Sequence, residues 1–244
     1  HQELSNLTFL EDYLTTSLEL RAVEKYYPNE FYGLDLIFKA FLDLPPDSSL
    51  PFAIPHGVEI INSGSYSLFG KREKVNCFLY YSDINLQIYR SNSVGGFYYK
   101  STHPIHYLFS YMRDKELLSL LPKLNYFLFF PAHSTTYWKL DNDKYDLEVI
   151  SFLQAKGYSG FNTSISLTKA DLDEGRHLIY RLYGFKVVTS GDVADHRFLA
   201  RFIQLVHSHE VIVTCEIGSH YFYCSYMGKE VIWLNIFRSE EHTS

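Results

Sequence analysis

The stretch VIVTCEIGSHYFYCSYMGKEVIWLN, residues 211–235, carries the clearest indication of the fold. An apolar, β-branched run leads into a short polar segment with Gly218 and Ser219, and a helix is predicted from about 217 to 227. Lys229 then precedes a second apolar run. This strand–helix–strand pattern is typical of a parallel sheet. It places a Gly-Ser pair at the start of a helix, directly after a buried strand.

The same alternation of strand and helix continues upstream to residue 126, where the run YFLFFPAHS begins. Strands are predicted at 126–134, 161–168, 185–191 and 210–215, and helices at 144–157, 169–184 and 195–208. Short links between alternating strands and helices indicate a parallel sheet with helices on both faces, because crossover connections are right-handed. We therefore predict a doubly wound, Rossmann-like domain over 121–237.

The first 120 residues alternate less regularly. Helices are predicted at 7–27, 33–44 and 83–92, and a connecting helix or linker at 113–124. Strands are predicted at 74–82, at 95–109 and in a short segment that ends at Pro55. We expect a partial α/β domain over 1–120 whose beginning is missing, since the chain opens on HQELSN without an initiator methionine. The last residues, 238–244, read RSEEHTS, the in-frame translation of a common sequencing adapter, and are excluded from the fold prediction as an artefact.

The composition disfavours some classes of function. The net charge of −6 is opposed to non-specific nucleic-acid binding, which needs a basic surface. The three cysteines, Cys77, Cys215 and Cys224, have no CxxC spacing and predict buried thiols in a reducing compartment. No apolar run approaches the roughly 20 residues that span a bilayer, and no signal peptide is visible. We expect a cytoplasmic protein, or one at the inner face of the membrane.

A glycine-containing turn between a strand and a helix is a favourable place for an anion. The first backbone N–H groups of the helix and the helix dipole attract negative charge. Gly218 would allow close approach, Ser219 would add a hydroxyl donor, and Glu216 would accept hydrogen bonds from ribose hydroxyls. The alternative is a plain helix N-cap, with Ser219 bonded to backbone N–H groups of the first turn.

The other predicted strands also end in polar residues, at the edge where open parallel sheets bind ligands. The first ends in His133, Ser134 and Thr135, the second in Ser166 and Thr168, and the third in Ser190, Gly191 and Asp192. Together with the turn at 214–219 they predict a site for a nucleotide or another phosphorylated ligand. No GxGxxG follows the first strand and no P-loop motif occurs, so dinucleotide and P-loop sites are disfavoured.

His56, in the segment IPHGVE, is the candidate general base, because a neutral imidazole could take the proton of an acceptor hydroxyl. The alternative is a hydrogen-bonded histidine in a turn. His103 and His106 lack a third metal ligand, and the histidines of 207–209 suit a helix end. We therefore expect no metal, and no cofactor apart from a nucleotide-activated co-substrate. The G-x-S-x-G elbow of serine hydrolases is missing.

The segments PHGVE, YFLFFPAHS and GFKVVTSG, followed by the stretch up to EVIWL, resemble in their order bacterial surface-polysaccharide glycosyltransferases of the GT-B type. In outline the chain is similar to capsular polysaccharide enzymes, sialyltransferase-like proteins and CDP-glycerol glycerophosphotransferases. Their shared late motif maps onto Thr214, Gly218, Ser219, Gly228 and Lys229. The chain departs from the sialyltransferase-like proteins by PAHS in place of a His-Pro pair. It departs from the glycerophosphotransferases by TCEIGSH in place of Asp-Tyr-Ser-Ser.

This resemblance implies a GT-B fold, with an acceptor-side domain over 1–120 and a nucleotide-donor domain over 121–237. It implies sugar transfer from a nucleotide-activated donor to a cell-surface polysaccharide or lipid-linked glycan, without an essential metal. Ser134 and the helix start at 217–219 would stabilise the leaving phosphate, and His56 would be catalytic. Three alternatives remain: a CDP-polyol phosphotransferase, a nucleotide-sugar epimerase, and a non-catalytic nucleotide-binding protein of a polysaccharide assembly complex at the membrane.

Overall fold

The computed structural model describes residues 19–55, 57, 75–91, 95–133 and 142–236, with only the backbone at 142 and 143. His56, Ser134, Thr135 and the excluded segment 238–244 lie outside the described residues. The chain divides into two compact units. The described residues of one unit fall within 117–191 and 201–236, and those of the other fall within 19–116 and 192–200.

The unit that falls within 19–116 and 192–200 is α/β. Its regular elements are a 3-10 helix at Tyr27–Gly33, helix α1 at Leu34–Phe41, strand β1 at Cys77–Tyr80, helix α2 at Asp83–Ser91, strand β2 at Phe97–Lys100 and helix α3 at Pro104–Asp114. Strands β1 and β2 pair in parallel, and Ala53 forms a single parallel bridge to Phe78. The α/β character predicted for this part of the chain is confirmed.

One strand predicted in this unit is present but shorter than expected. The strand predicted at 95–109 stops at Lys100, because Pro104 starts α3 and His103 Nδ1 caps it by accepting the N–H of Ile105 at 3.1 Å. A proline suits the first helical turn, whose N–H groups have no partner inside the helix. Of the connecting helix or linker predicted at 113–124, the structure bears out the linker at 115–124, since α3 ends at Asp114 and Glu116 adopts a left-handed φ of +56°.

The helix predicted over 7–27 does not extend into the described residues 19–26. The Glu30 carboxylate accepts hydrogen bonds from the backbone N–H groups of Ala22, Val23 and Glu24, at 3.0, 2.6 and 2.8 Å. These three donors are therefore bound to a side chain that follows them in the sequence, and the segment keeps an irregular path.

Lys39 lies in a buried cluster of charges in the same unit. Its Nζ is 2.6 Å from a Glu24 oxygen and 2.7 Å from an Asp35 oxygen, and all three residues are buried. The Asp35 carboxylate also contacts Arg21. Because a buried charge is costly without a partner, these contacts link the irregular segment around residue 24 to α1.

The other unit is a five-stranded parallel sheet with its helices. Its elements are β3 at Asn125–Phe130, α4 at Asn142–Ala155, β4 at Thr163–Ser166, α5 at Lys169–Asp173, α6 at Arg176–Leu182, β5 at Lys186–Val188, α7 at Phe198–His207, β6 at His209–Thr214, α8 at Ser219–Tyr226 and β7 at Glu230–Trp233. The strand order is β5-β4-β3-β6-β7, with every pair parallel. Counted along the chain this is 3-2-1-4-5, the order of a Rossmann-like sheet. The order reverses between β3 and β6, which places the topological switch point there.

Helices cover both faces of this sheet. On one face Phe129 of β3 packs in the same buried cluster as Val149 of α4. On the other face the ring of Phe130 lies 5.9 Å from Phe202 of α7 and 4.9 Å from His220 of α8, between centroids. The prediction of a doubly wound parallel sheet is therefore confirmed. Among the described residues, no helix is long and apolar enough to cross a membrane.

The helix predicted at 169–184 is two helices. Thr168 Oγ1 accepts the N–H of Asp171, and the Asp171 carboxylate accepts the N–H of Thr168, so that a capping box starts α5. The helical conformation is interrupted at Gly175, whose φ of +80° is a left-handed conformation that favours glycine. Helix α6 begins at the next residue. The other strands and helices predicted from residue 126 onward occur, with ends that differ by a few residues.

Candidate functional site

Two residues proposed from the sequence meet at the switch point of the sheet. His133 is the third residue after β3, and Glu216 is the second residue after β6. Their side chains pair, with His133 Nδ1 2.9 Å from Glu216 Oε1, and they are 47% and 32% exposed, so solvent reaches both. Ligands of open parallel sheets bind outside the carboxyl ends of the strands at the switch point. The His133–Glu216 pair is therefore the centre of the candidate site.

The pairing changes the titration of His133. The hydrogen bond to Glu216 raises the pKa of His133 above its ordinary value, and the negative charges of Glu216 and Asp171 act in the same direction. Partial burial and the positive charge of Arg176 oppose this rise in the pKa. The imidazole of His133 therefore stays protonated to a higher pH than a free histidine, and it offers a cationic donor to an anionic ligand.

His220, in the first turn of α8, was not singled out by the sequence analysis although it follows Ser219 directly. The Oγ1 of Thr214 donates to the carbonyl of Glu216 at 2.8 Å and accepts the Glu216 N–H at 3.2 Å. Since the single hydroxyl proton is used, His220 Nε2, 2.8 Å from the same Oγ1, is the donor in that contact. Burial lowers the pKa of His220 to about 4, so the ring is neutral, with its proton on Nε2.

Gly218 is the N-cap of α8 and has a specific steric reason to be glycine. A β-carbon at this position would lie 2.9 Å from Nδ1 and 3.1 Å from Cε1 of His220. The imidazole cannot easily move away, because it stacks on Phe130 and is bonded to Thr214. The glycine thus allows the His220 ring to lie under the β6–α8 turn.

Replacing Gly218 by Ala should displace the His220 ring. We expect the free energy of unfolding to fall by about 1–3 kcal/mol, the usual cost of an extra group in a packed region. The pKa of His220, followed by NMR, should rise towards an ordinary histidine value, because burial is what lowers it and the displaced ring would be more exposed to solvent.

A Gly95→Ala variant is the matched control, because a β-carbon there meets nothing within 4 Å. It should leave both quantities unchanged. An unaltered His220 pKa and unaltered stability in Gly218→Ala would contradict this steric role.

The chain segment that carries His133 is fixed through the backbone of Ala132. The Ala132 N–H donates to Tyr145 Oη at 2.8 Å and to Cys215 Sγ at 3.1 Å. Tyr145 Oη and Cys215 Sγ are themselves 3.1 Å apart. Burial raises the pKa of the Cys215 thiol, so this cysteine is a neutral structural contact between the ends of β3 and β6.

The carbonyl of Ala132 is held by Arg176, the first residue of α6. Arg176 Nη1 donates to this carbonyl at 3.1 Å and to Asp171 at 2.6 Å. Its Nε and Nη2 form a two-point contact with the Asp146 carboxylate at 2.9 and 2.6 Å, and Tyr180 Oη donates to the same carboxylate at 2.7 Å. The buried guanidinium thus joins α4, α5 and α6 to the end of β3.

Other polar residues that follow the strands are mostly used by the fold. Thr168 caps α5, and the carbonyl of Ser190 accepts Arg201 Nη1 at 3.3 Å. Gly191 is buried, with its N–H donating to Thr189 Oγ1 at 3.0 Å. Ser166 ends β4 and is partly exposed at the same edge of the sheet as the His133–Glu216 pair.

Ser219 is not the helix cap that the alternative reading of the sequence required. Gly218 occupies the N-cap position without a side-chain capping hydrogen bond, and Ser219 is the first residue of α8. The N-terminal turn of α8 therefore begins next to Glu216, at the carboxyl end of β6. Ser134 and His56 lie outside the described residues, so their proposed roles stay predictions.

The other histidines have structural surroundings. His103 caps α3, and His209 is buried, with Nδ1 2.7 Å from the carbonyl of Leu205 and Nε2 3.0 Å from Ser164 Oγ. Within the ranges that the structure describes, no group of three or more histidine, cysteine or carboxylate residues could hold a metal ion. Comparison with protein-family models, with curated proteins and with solved structures finds no match to this chain.

Proposed function

We propose that this chain is a glycosyltransferase of the GT-B type that moves a sugar from a nucleotide-activated donor to a cell-surface glycan. The observation that carries the proposal is the His133–Glu216 pair at the switch point of a parallel sheet with strand order 3-2-1-4-5. Sheets of this order bind nucleotides at that point. The choice of glycosyl transfer, among the reactions of nucleotides, rests on the resemblance of the sequence.

The residues at the site fit the parts of a nucleoside diphosphate. The protonated His133 would donate to a phosphate oxygen, and the N-terminal turn of α8 at Ser219 would face the same negative charge. The second oxygen of Glu216 would accept hydrogen bonds from the ribose hydroxyls. Neutral His220 lies behind the turn and holds Thr214 and Glu216 in place.

In the proposed reaction the acceptor hydroxyl oxygen forms a bond to the anomeric carbon of the donor sugar. The bond from that carbon to the phosphate oxygen breaks, and its electron pair remains on the nucleoside diphosphate. His56 would take the proton of the acceptor hydroxyl. His133 would stabilise the charge that develops on the leaving diphosphate, where a cationic donor has its largest effect.

Replacing His133 by Gln should weaken nucleoside diphosphate binding by about tenfold or more, since the loss of one charge-assisted contact costs over 1 kcal/mol. Binding of the free nucleoside should change less, because it has no phosphate. Affinity of the unmodified protein for the diphosphate should fall as the pH rises through the raised pKa of His133, where the imidazolium loses its proton. Calorimetry with CDP, UDP, GDP and dTDP, and with their nucleosides, measures all three effects.

The matched variants are Glu216→Gln and Glu210→Gln. Glu216→Gln should weaken the binding of both the nucleoside and the diphosphate. Glu210→Gln changes an exposed carboxylate at the opposite edge of the sheet and should leave both affinities unchanged. Equal binding by the unmodified protein, His133→Gln and Glu216→Gln would exclude the pair as the nucleotide site.

The product of the reaction separates the proposed activity from its alternatives. A glycosyltransferase incorporates the donor sugar into the glycan and releases the diphosphate. A CDP-polyol phosphotransferase would incorporate phosphorus, and an epimerase would convert the donor with no acceptor present. Nucleotide binding without any of these products would identify a non-catalytic nucleotide-binding protein.

A further inference from the structure

The edge of the five-stranded sheet opposite the candidate site carries an unusual combination of exposed residues. In a parallel sheet the amino ends of all strands lie at one edge, away from the carboxyl ends where His133 and Glu216 pair. Phe161, two residues before β4, is 98% exposed, and Leu182, at the end of α6, is 82% exposed. They are the two most exposed large apolar side chains among the described residues.

Phe161 is held at the tip of a rigid turn. The N–H of Asn162 donates to the carbonyl of Ser159 at 3.1 Å, and Asn162 Oδ1 accepts the N–H of Ser159 at 2.8 Å. The N–H of Thr163, the first residue of β4, also donates to the Ser159 carbonyl at 2.8 Å. The phenyl ring therefore projects from a turn whose two ends are joined by hydrogen bonds, so that its exposure is a feature of an ordered turn.

The turn lies against the loop that precedes β5. A β-carbon on Gly160 would be 1.8 Å from the carbonyl oxygen of Gly184, so the two backbones touch and only glycine fits at residue 160. This backbone contact brings the segment of Phe161 next to the segment of Leu182 and Tyr183, and Tyr183 is 43% exposed. We name the exposed side chains of these three residues the Phe161 patch.

Cationic side chains lie at the same end of the sheet as the Phe161 patch. Those at this edge of the sheet are Lys123, Lys156, Arg181, Lys186 and Lys229, and the carboxylates among its described residues are Glu210 and Glu230. Glu210 is neutralised by Lys123, whose Nζ lies 2.8 Å away. The edge is therefore locally positive although the chain as a whole carries a net charge of −6.

We propose that the Phe161 patch and the lysines at the same end of the sheet dock this unit on an anionic lipid bilayer. The aromatic and aliphatic side chains would enter the boundary between headgroups and acyl chains, and the cations would contact lipid phosphates. A second copy of the chain is a poorer partner, because pairing through this edge would place like charges against each other. An anionic polymer would use the lysines but would gain little from a projecting phenyl ring.

This inference is independent of the proposed function, since it rests on the edge of the sheet opposite the candidate site. The test is co-sedimentation of the whole chain with vesicles of phosphatidylcholine alone or with ~30 mol% phosphatidylglycerol. We expect binding to the anionic vesicles that exceeds binding to neutral ones by about tenfold or more, and that falls at ~1 M salt, where charges are screened.

Two variants at the surface and one elsewhere make the test specific. Phe161→Ser and Lys156→Glu change exposed side chains and should each weaken vesicle binding by about fivefold or more. Phe97→Ser is the matched control, because Phe97 is a 63% exposed phenylalanine in the other unit, and it should bind as the unmodified protein does. In a Phe161→Trp variant the indole emission should shift to the blue on anionic vesicles only.

The proposal is overturned by equal binding to neutral and anionic vesicles, or by Phe161→Ser and Lys156→Glu proteins that bind vesicles normally. Sedimentation velocity without lipid tests the remaining alternative, that the Phe161 patch joins two copies of the chain. If the chain is a dimer that Phe161→Ser converts to a monomer, the patch is an interface between two copies and lipid docking is wrong. A sedimentation coefficient that is the same for the unmodified chain and for Phe161→Ser, together with selective vesicle binding, supports the lipid surface.

Discussion

Replacing Arg176 by Met will lower the free energy of unfolding by about 3–5 kcal/mol, the effect of removing one partner from a buried ion pair. The reason is that Arg176 is the partner of several buried groups, which would lose their contacts with its guanidinium. Asp146 and Asp171 are both buried, and the carbonyl of Ala132 would lose its Arg176 donor. Urea unfolding at neutral pH, followed by circular dichroism, measures the change.

Two further variants show whether the loss comes from the uncompensated charges. Arg181→Met makes the same substitution at an exposed position of α6 and should change the stability by less than about 0.5 kcal/mol. Asp146→Asn with Asp171→Asn in the Arg176→Met background removes the unpaired charges and should recover a large part of the loss. A single variant within about 1 kcal/mol of the unmodified protein would show that the cluster contributes little.

The second large effect is a loss of stability at acidic pH, caused by protonation of His209. The pKa of His209 is lowered to about 4, chiefly by burial. The hydrogen bond to the Leu205 carbonyl opposes this effect, and the charges of Lys186, Lys229 and Lys123 add to it. Its Nδ1 must donate to the carbonyl of Leu205, so Nε2 accepts from Ser164 Oγ and the ring is neutral in the folded state.

The sign of the pH effect follows from the two states. The unfolded chain binds a proton at His209 near pH 6.5, whereas the folded chain binds it only near pH 4. Stability is therefore fully present above pH 6.5 and is lost as the pH falls towards 4, by about 2–3 kcal/mol at pH ~4.5 from this one imidazole.

The measurement compares the unmodified protein with His209→Asn, which can still donate to Leu205 and accept from Ser164. The difference between the unfolding free energies at pH 7 and pH ~4.5 should be smaller in His209→Asn by about 2–3 kcal/mol. Carboxylates titrate alike in both proteins and cancel in this comparison. Equal pH dependence in the two proteins would mean that folding does not lower the pKa of His209.

The sequence predicts the sheet well because its signals are local. Runs such as 126–130 are apolar throughout, as strands covered on both faces must be, and turns with glycine separate them from amphipathic helices. The wrong boundaries have local causes of another kind. Pro104 with His103 starts a helix where a strand was expected, and Gly175 divides one predicted helix into two.

The candidate site is only partly readable from the sequence. His133 and Glu216 were expected at one edge because both lie at the ends of predicted strands, but their pairing depends on β3 and β6 being neighbours. Arg176 and Tyr145 meet Ala132 from positions 44 and 13 residues away, and no local pattern marks them. His220 adjoins Ser219 in the sequence and could have been proposed as a site residue. Its structural role follows only from its contacts with Phe130 and Thr214.

The buried contact of Lys39 with Glu24 sets a limit on how the first unit can be shortened for expression. Helix α1 begins at Leu34, and a cut just before the 3-10 helix at Tyr27 would look harmless from the helix boundaries alone. Such a shortened chain would leave the Lys39 ammonium with Asp35 as its remaining carboxylate contact, and Asp35 itself would lose Arg21. A shortened form of this unit therefore has to keep Arg21 and Glu24, although the described residues 19–26 have no regular secondary structure.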